Sequence, residues 1–121
     1  MKILLNVEMP VGYEWLIDRG IVGFEAFTAL QPWHYLPTDQ CFWADERWPA
    51  VSEFHLLAFA KRQDDDQLAC FIVNVAGKAE KVLLIQGWTG RGFDVIREFP
   101  DVWAWLTHVV QDIADWASIE I

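Results

Sequence analysis

The chain has 121 residues, of which 54% are hydrophobic and 22% are charged, and its 18 acidic and nine basic residues give a formal net charge of -9. This length predicts one domain over residues 1–121, and this composition excludes a disordered or low-complexity chain. The charge argues against nucleic-acid binding and against docking to an anionic membrane, since both need clustered Lys and Arg. A basic protein partner is compatible with it.

The cysteine content and the search for targeting signals predict the cellular compartment. Cys41 and Cys70 are too few for a disulfide framework and have no metal-ligand spacing. The apolar start of the chain is interrupted by Asn6 and Glu8 and has no cleavage site, unlike a signal peptide. No stretch approaches the roughly 18 apolar residues of a membrane span. We therefore expect a cytoplasmic protein.

The first half of the chain gives weak structural signals. A short helix is predicted over residues 13–19, and Gly20 ends it. Residues 31–49 are rich in proline, aromatic and acidic residues. We predict that this segment is irregular and is held to the core by its aromatic side chains.

Four strands are predicted next, over residues 54–60, 68–75, 81–86 and 93–98. The charged interval between the first two strands predicts a solvated turn. Gly77 predicts a hairpin turn with a positive φ before the third strand, whose continuous apolar run indicates burial on both faces. A meander is the simplest topology for these strands.

The C-terminal segment predicts an amphipathic helix. From Asp101 onward, apolar residues recur with helical spacing, at Val102, Leu106, Val109, Ile113 and Ala117. Pro100 fits the first turn, and Asp101 suits the positive end of the helix dipole.

No catalytic or cofactor-binding motif stands out in the sequence. The run Asp64, Asp65, Asp66 lacks the alternating ligands and the glycine of a calcium loop. His108, Asp112 and Asp115 have helical spacing, but a surface ion pair explains them better than a metal site. Glycines 87, 90 and 92 lead into a strand, whereas a phosphate loop leads into a helix.

A nucleophilic pair of Cys41 with a histidine stays open, although a structural cysteine is the better interpretation. We predict no enzyme activity, no cofactor and no metal.

The eight tryptophans are the unusual feature of the composition. Tryptophan fills cores, but it also anchors interfaces. We assign Trp33, Trp103 and Trp116 to the core and expect Trp88 and Trp105 to be at least partly exposed, the latter because it shares a helix face with Asp112. The predicted partner-binding residues are Asp64, Asp65, Asp66, Trp88, Trp105 and Asp112.

The order of several segments resembles the SUKH superfamily over about residues 24–117. These segments are LQPWHYL at 30–36, FW at 42–43, WP at 48–49, LAFAKRQDDDQLACF at 57–71, IQGWT at 85–89, and Phe99 leading into WxWL at 103–106. The chain lacks the long N-terminal helix common in that family. It also has Asp65-Asp66 where a Gly-Asp pair is frequent.

The resemblance implies an α+β fold, a mainly antiparallel β-sheet flanked by helices, with the C-terminal amphipathic helix packed on the sheet. It also implies a bacterial immunity protein, which binds a cognate toxin and masks its active surface. Many such toxins are basic nucleases, so an acidic immunity protein would be steered toward its target. Two alternatives remain: a general protein-binding or regulatory scaffold domain of the same superfamily, and a small ligand-binding protein or enzyme. The sequence does not identify the toxin or the oligomeric state.

Overall fold

The computed structural model describes residues 7–24 and 32–120. Their helices and strands are α1 (Val11–Asp18), β1 (Trp33–Tyr35), β2 (Phe42–Trp43), α2 (Ala44–Arg47), β3 (Leu56–Arg62), β4 (Gln67–Val73), β5 (Ala79–Thr89), β6 (Gly92–Phe99) and α3 (Val102–Glu120). A single 3-10 turn covers Thr38–Gln40. The predicted α+β class is confirmed.

All six strands form one antiparallel sheet, in which β1, β3, β4, β5 and β6 follow one another and β2 pairs with β3 beside β1. Strands β3 to β6 form the predicted meander. Gly77 has the expected positive φ of 82° between β4 and β5. Of the segment predicted to be irregular over residues 31–49, the described part, 32–49, is less irregular than predicted, because β1 and β2 lie within it and pair with β3.

Both faces of the sheet are covered. One face packs against α1 and α3 through Leu57, Phe59, Phe71, Val82, Leu84, Phe99, Tyr13, Leu16, Val102, Trp105 and Val109. The other face packs against residues 36–51 through Leu56, Ala58, Leu68, Cys70, Leu83, Ile85, Phe93, Leu36 and Ala44. The apolar run of β5 therefore alternates between two cores, as its sequence predicts.

Aromatic rings join both long helices to the middle of the sheet. Phe59 and Phe71 stack with their ring centroids 4.0 Å apart. Tyr13 of α1 meets Phe71 edge-on at 5.4 Å, and Trp105 of α3 meets Phe59 edge-on at 5.1 Å. Each such pair adds about 0.5–1.5 kcal/mol beyond the area that it buries. Burial raises the pKa of Tyr13 and of Tyr35, so both phenols stay neutral at physiological pH.

Helix α3 turns a different side toward the sheet than the sequence predicts. Its buried face centres on Trp105, which is 0% exposed, whereas Trp103 is 46% exposed. The predictions that Trp103 lies in the core and that Trp105 is partly exposed are therefore both wrong. Trp33 is fully buried as predicted, and Trp116 is half-buried.

The start of α3 also differs in detail from the prediction. Asp101 caps the helix, since its Oδ1 accepts a hydrogen bond from the N–H of Ala104 at 2.9 Å. Pro100 precedes the helix instead of lying in its first turn.

Gly12 lets α1 approach α3 closely. A Cβ atom at this position would lie 2.7 Å from Cγ1 of Val102 and 2.9 Å from the indole of Trp103. These distances are too short for real atoms, so only glycine fits unless the two helices separate.

We expect Gly12→Ala to lower the free energy of unfolding by about 2 kcal/mol, because the strain of overpacking exceeds the gain in helix propensity. Urea unfolding measures the change. Gly90→Ala is the control: no atom lies within 4 Å of its Cβ position, and we expect a change within about 0.5 kcal/mol. Equal unfolding midpoints for Gly12→Ala and the wild type would contradict the packing argument.

Candidate functional site

The three predicted aspartates of the β3–β4 turn are engaged in local contacts. Nε of Arg62 donates to Oδ1 of Asp64 at 2.6 Å. Nζ of Lys61 donates to the carbonyl oxygen of Asp65 at 2.7 Å and lies 3.5 Å from the carboxylate of Asp66. Oδ1 of Asp65 accepts a backbone N–H two residues ahead at 2.8 Å. These carboxylates therefore shape the turn, and two of them are neutralised by neighbouring cations.

Trp88 lies next to this turn, because the N–H of Gly87 donates to the carbonyl oxygen of Asp66 at 2.9 Å. The pairing of β5 with β6 shifts register between Gly87 and Thr89, and within this bulge Trp88 has a φ of 56°. That conformation costs a non-glycine residue about 1–2 kcal/mol. A half-exposed tryptophan at a position that suits glycine makes this bulge a candidate site.

Two cations approach the Trp88 ring. The guanidinium carbon of Arg47 and Nζ of Lys61 each lie 5.9 Å from a Trp88 ring centroid. Trp48 meets the same ring edge-on, with the centroids 5.1 Å apart. We call Arg47, Trp48, Lys61, Asp66 and Trp88 the Trp88 surface. The structure thus brings together four of the predicted partner-binding residues, Asp64, Asp65, Asp66 and Trp88. It also places the positive charges of Arg47 and Lys61 beside them.

We expect Trp88→Gly to be more stable than Trp88→Ala by about 1 kcal/mol, because glycine adopts a positive φ without strain. Both variants lose the ring contact with Trp48, so their difference isolates the backbone cost. Thermal or urea unfolding of the two proteins measures it. Equal stability of the two variants would show that no strain is stored at this bulge.

Asp112 lies apart from the Trp88 surface and holds α3 to the sheet. Its Oδ2 accepts from Nε1 of Trp33 at 2.8 Å and lies 3.3 Å from Nη1 of Arg62. Nε2 of His108 is 3.2 Å away, at an ion-pair distance without hydrogen-bond geometry. The Asp112 side chain is only 12% exposed. This carboxylate is used within the fold, and the contact of Asp112 with a partner stays a prediction.

The same network affects Arg62. Burial lowers the pKa of its guanidinium, but the hydrogen bond to Asp64 and the charge of Asp112 outweigh burial, so the pKa is raised. The positive charge of Arg62 therefore interacts with a carboxylate of the β3–β4 turn, Asp64, and with a carboxylate of α3, Asp112.

We expect Asp112→Ala to lower the free energy of unfolding by about 2 kcal/mol, because it leaves the Trp33 N–H without its acceptor and removes a counter-charge of Arg62. Asp115→Ala on the same helix is the control. Asp115 is exposed and accepts one hydrogen bond from Gln111 at 3.0 Å, so we expect a change within about 0.5 kcal/mol. Chemical denaturation measures both, and equal losses would contradict a structural role for Asp112.

A second aromatic surface lies on the outside of α1 and α3. Trp15 and Trp103 meet edge-on with ring centroids 5.9 Å apart, and they are 40% and 46% exposed. The guanidinium carbon of Arg19 lies 4.0 Å from a Trp15 ring centroid. Val11 and Val110 extend the same exposed apolar area. We call Val11, Trp15, Trp103 and Val110 the helical face.

Sequence reasoning missed the helical face because it placed Trp103 in the core. Two signals were present: Trp103 and Val110 are seven residues apart, which places them on one side of a helix, and neither α1 nor α3 contains a lysine or arginine. The acidic residues of these two helices are Glu14, Asp18, Asp112, Asp115 and Glu120. Trp105, which was predicted to bind a partner, lies beneath this layer.

The cysteines show no sign of a nucleophile. Sγ of Cys41 donates to the carbonyl oxygen of Leu36 at 3.5 Å, and burial, with the nearby charge of Asp39, raises its pKa to about 11. The Cys41 thiol is therefore protonated near pH 7. Cys70 is fully buried in the second core. Within residues 7–24 and 32–120, no three His, Cys, Asp or Glu side chains are placed to hold a metal ion.

No helix in the described part of the chain combines the length and the apolar character needed to cross a membrane. The chain matches no protein-family model, and comparisons with curated proteins and with solved structures give no match. The function must therefore be inferred from the two aromatic surfaces and their charges.

Proposed function

We propose that the chain is an acidic, cytoplasmic binding protein that neutralises a cationic protein toxin by covering its active surface, as an immunity protein does. The helical face carries this proposal. Trp15 and Trp103 touch each other while remaining about half-exposed, on two helices that contain acidic residues and no lysine or arginine. Tryptophan is enriched at binding hot spots, and the net negative charge of the chain attracts a basic partner.

Charge decides between the two surfaces. A partner cation placed on the Trp88 ring would meet Arg47, whose guanidinium carbon lies 5.9 Å from the ring centroid, and Lys61, whose charge is partly balanced by Asp66 at 3.5 Å. At about 6 Å, two like unit charges repel by about 0.7 kcal/mol in water and by about 3 kcal/mol at an effective dielectric constant of 20. Among the described residues, Arg19 lies at the helical face, and its guanidinium already stacks on Trp15. The Trp88 surface is therefore the second candidate for docking.

The resemblance to the SUKH superfamily supports an immunity function, and the net charge of -9 suits a basic toxin. A scaffold domain of the same superfamily would also bind proteins. Genomic context separates the two hypotheses, because an immunity gene lies beside a toxin gene. The chemistry of the toxin is not part of the proposal.

The test is co-expression of the chain with the basic protein encoded by the neighbouring gene. We expect restored growth and a complex that co-elutes in size-exclusion chromatography, with affinity that falls as salt increases because the steering charges are screened. Trp15→Ala combined with Trp103→Ala should weaken binding by about 30-fold or more. Calorimetric titration measures the affinity, and circular dichroism confirms that each variant is folded.

Trp88→Ala is the matched control, since it also removes a half-exposed tryptophan. We expect a change in affinity below about threefold. Growth arrest in the presence of the folded chain, together with no complex, would contradict the proposed function. Loss of binding in Trp88→Ala but not in the helical-face variant would instead move the docking site to the Trp88 surface.

A further inference from the structure

Strand β6 has a free edge. It is the last strand in the sheet order and pairs with β5 on one side; no described residue pairs with its other side. Phe93 and Phe99 are buried, but every residue between them is exposed, including Val95 at 57% and Ile96 at 48%. An exposed edge strand with apolar side chains is a template for pairing with another strand.

The sequence of this edge is complementary to itself. Residues 94–97 read Asp94, Val95, Ile96, Arg97. If two copies pair antiparallel about a twofold axis between Val95 and Ile96, Asp94 of each copy lies opposite Arg97 of the other, and Val95 lies opposite Ile96. One symmetric register therefore forms two opposite-charge pairs and two apolar pairs.

Neighbouring registers lose this match. An axis through Ile96 places Asp94 opposite Glu98, but these side chains point to opposite faces of the sheet, because Asp94 pairs with Gln86 and Glu98 with Leu83 on β5. Asp94 therefore gains no cation in this register. An axis through Val95 places Asp94 opposite Ile96, which leaves the carboxylate without a cation. Of these three registers, only the first pairs opposite charges, and this self-complementarity favours a second copy of this chain as the partner.

We propose that β6 pairs antiparallel with β6 of a second copy, about an axis between Val95 and Ile96, and so extends the sheet across a dimer. The register of β6 against β5 shifts between Ile85 and Leu84, which makes Ile96 an extra residue on β6. This bulge places the side chains of Asp94 and Arg97 on the same face of the sheet, because these residues pair with Gln86 and Leu84 of β5. It also increases the local twist at the axis, which weakens strand pairing there. The dimer is therefore weak and depends on protein concentration.

The contacts that Asp94 and Arg97 already make within the chain are too weak to compete with pairing to a second copy. Asp94 lies 3.7 Å from Nε of Arg91, with both side chains more than half exposed. The guanidinium carbon of Arg97 lies 4.9 Å from the Phe99 ring centroid. Exposed pairs of this kind stabilise little, so both side chains are available to a second copy.

Sedimentation velocity of the full chain tests the proposal, from about 10 μM to about 1 mM, the range in which weak interfaces associate. We expect the average mass to rise toward twice that of the monomer. Asp94→Arg and Arg97→Asp should each raise the dissociation constant about tenfold, because two repulsive pairs replace two attractive ones. The double exchange, Asp94→Arg with Arg97→Asp, restores the pairs and should return the constant to within about threefold of wild type.

Lys81→Glu is the matched control, since it changes the net charge by the same amount as Arg97→Asp. Lys81 is on β5, where it lies 3.5 Å from Glu98, outside the proposed edge register. We expect dimerisation to be unchanged. A wild-type monomer at every concentration would overturn the proposal. So would a double exchange no stronger than the single variants, or a loss in Lys81→Glu equal to that in Arg97→Asp. None of these outcomes involves toxin binding, so failure of the dimer proposal would not count against the proposed function.

Discussion

Burial of the central sheet on both faces is the constraint from which the rest of the structure follows. Strand β5 places Val82 and Leu84 in one core and Leu83 and Ile85 in the other. The two long helices occupy the first face, and residues 36–51 cover the second. Interaction with other molecules is therefore left to the outer sides of the helices, the hairpin ends and the free edge of β6. Both aromatic surfaces and the complementary edge lie in these places.

Most of the sheet and its last helix could be predicted from the sequence. Strands β3 to β6 are apolar runs separated by turns that contain charged residues or glycine, and α3 repeats its apolar residues at helical spacing. Strands β1 and β2 were missed because segments of three and two residues carry no periodic signal. They exist because β3 offers them backbone partners, which is a property of the folded sheet.

The candidate sites were harder to predict because they depend on distant contacts. The helix face of Trp105 and Asp112 has polar residues that suggest exposure. It is buried because Asp112 meets Trp33 and Arg62 from separate strands. Because this side of α3 faces the sheet, Trp103 is exposed to solvent. At the β3–β4 turn, the acidic sequence was visible, but Arg47 reaches the Trp88 ring only through the packing of residues 36–51.

Arg62 connects two parts of the molecule that are 48 residues apart in sequence, since its guanidinium binds Asp64 in the β3–β4 turn and lies beside Asp112 on α3. A cation from another molecule that bound Asp64 would compete with Arg62 for this carboxylate. The released guanidinium would then be free to pair more closely with Asp112. The charge state of the β3–β4 turn and the ion pair that holds α3 are thus linked through one side chain.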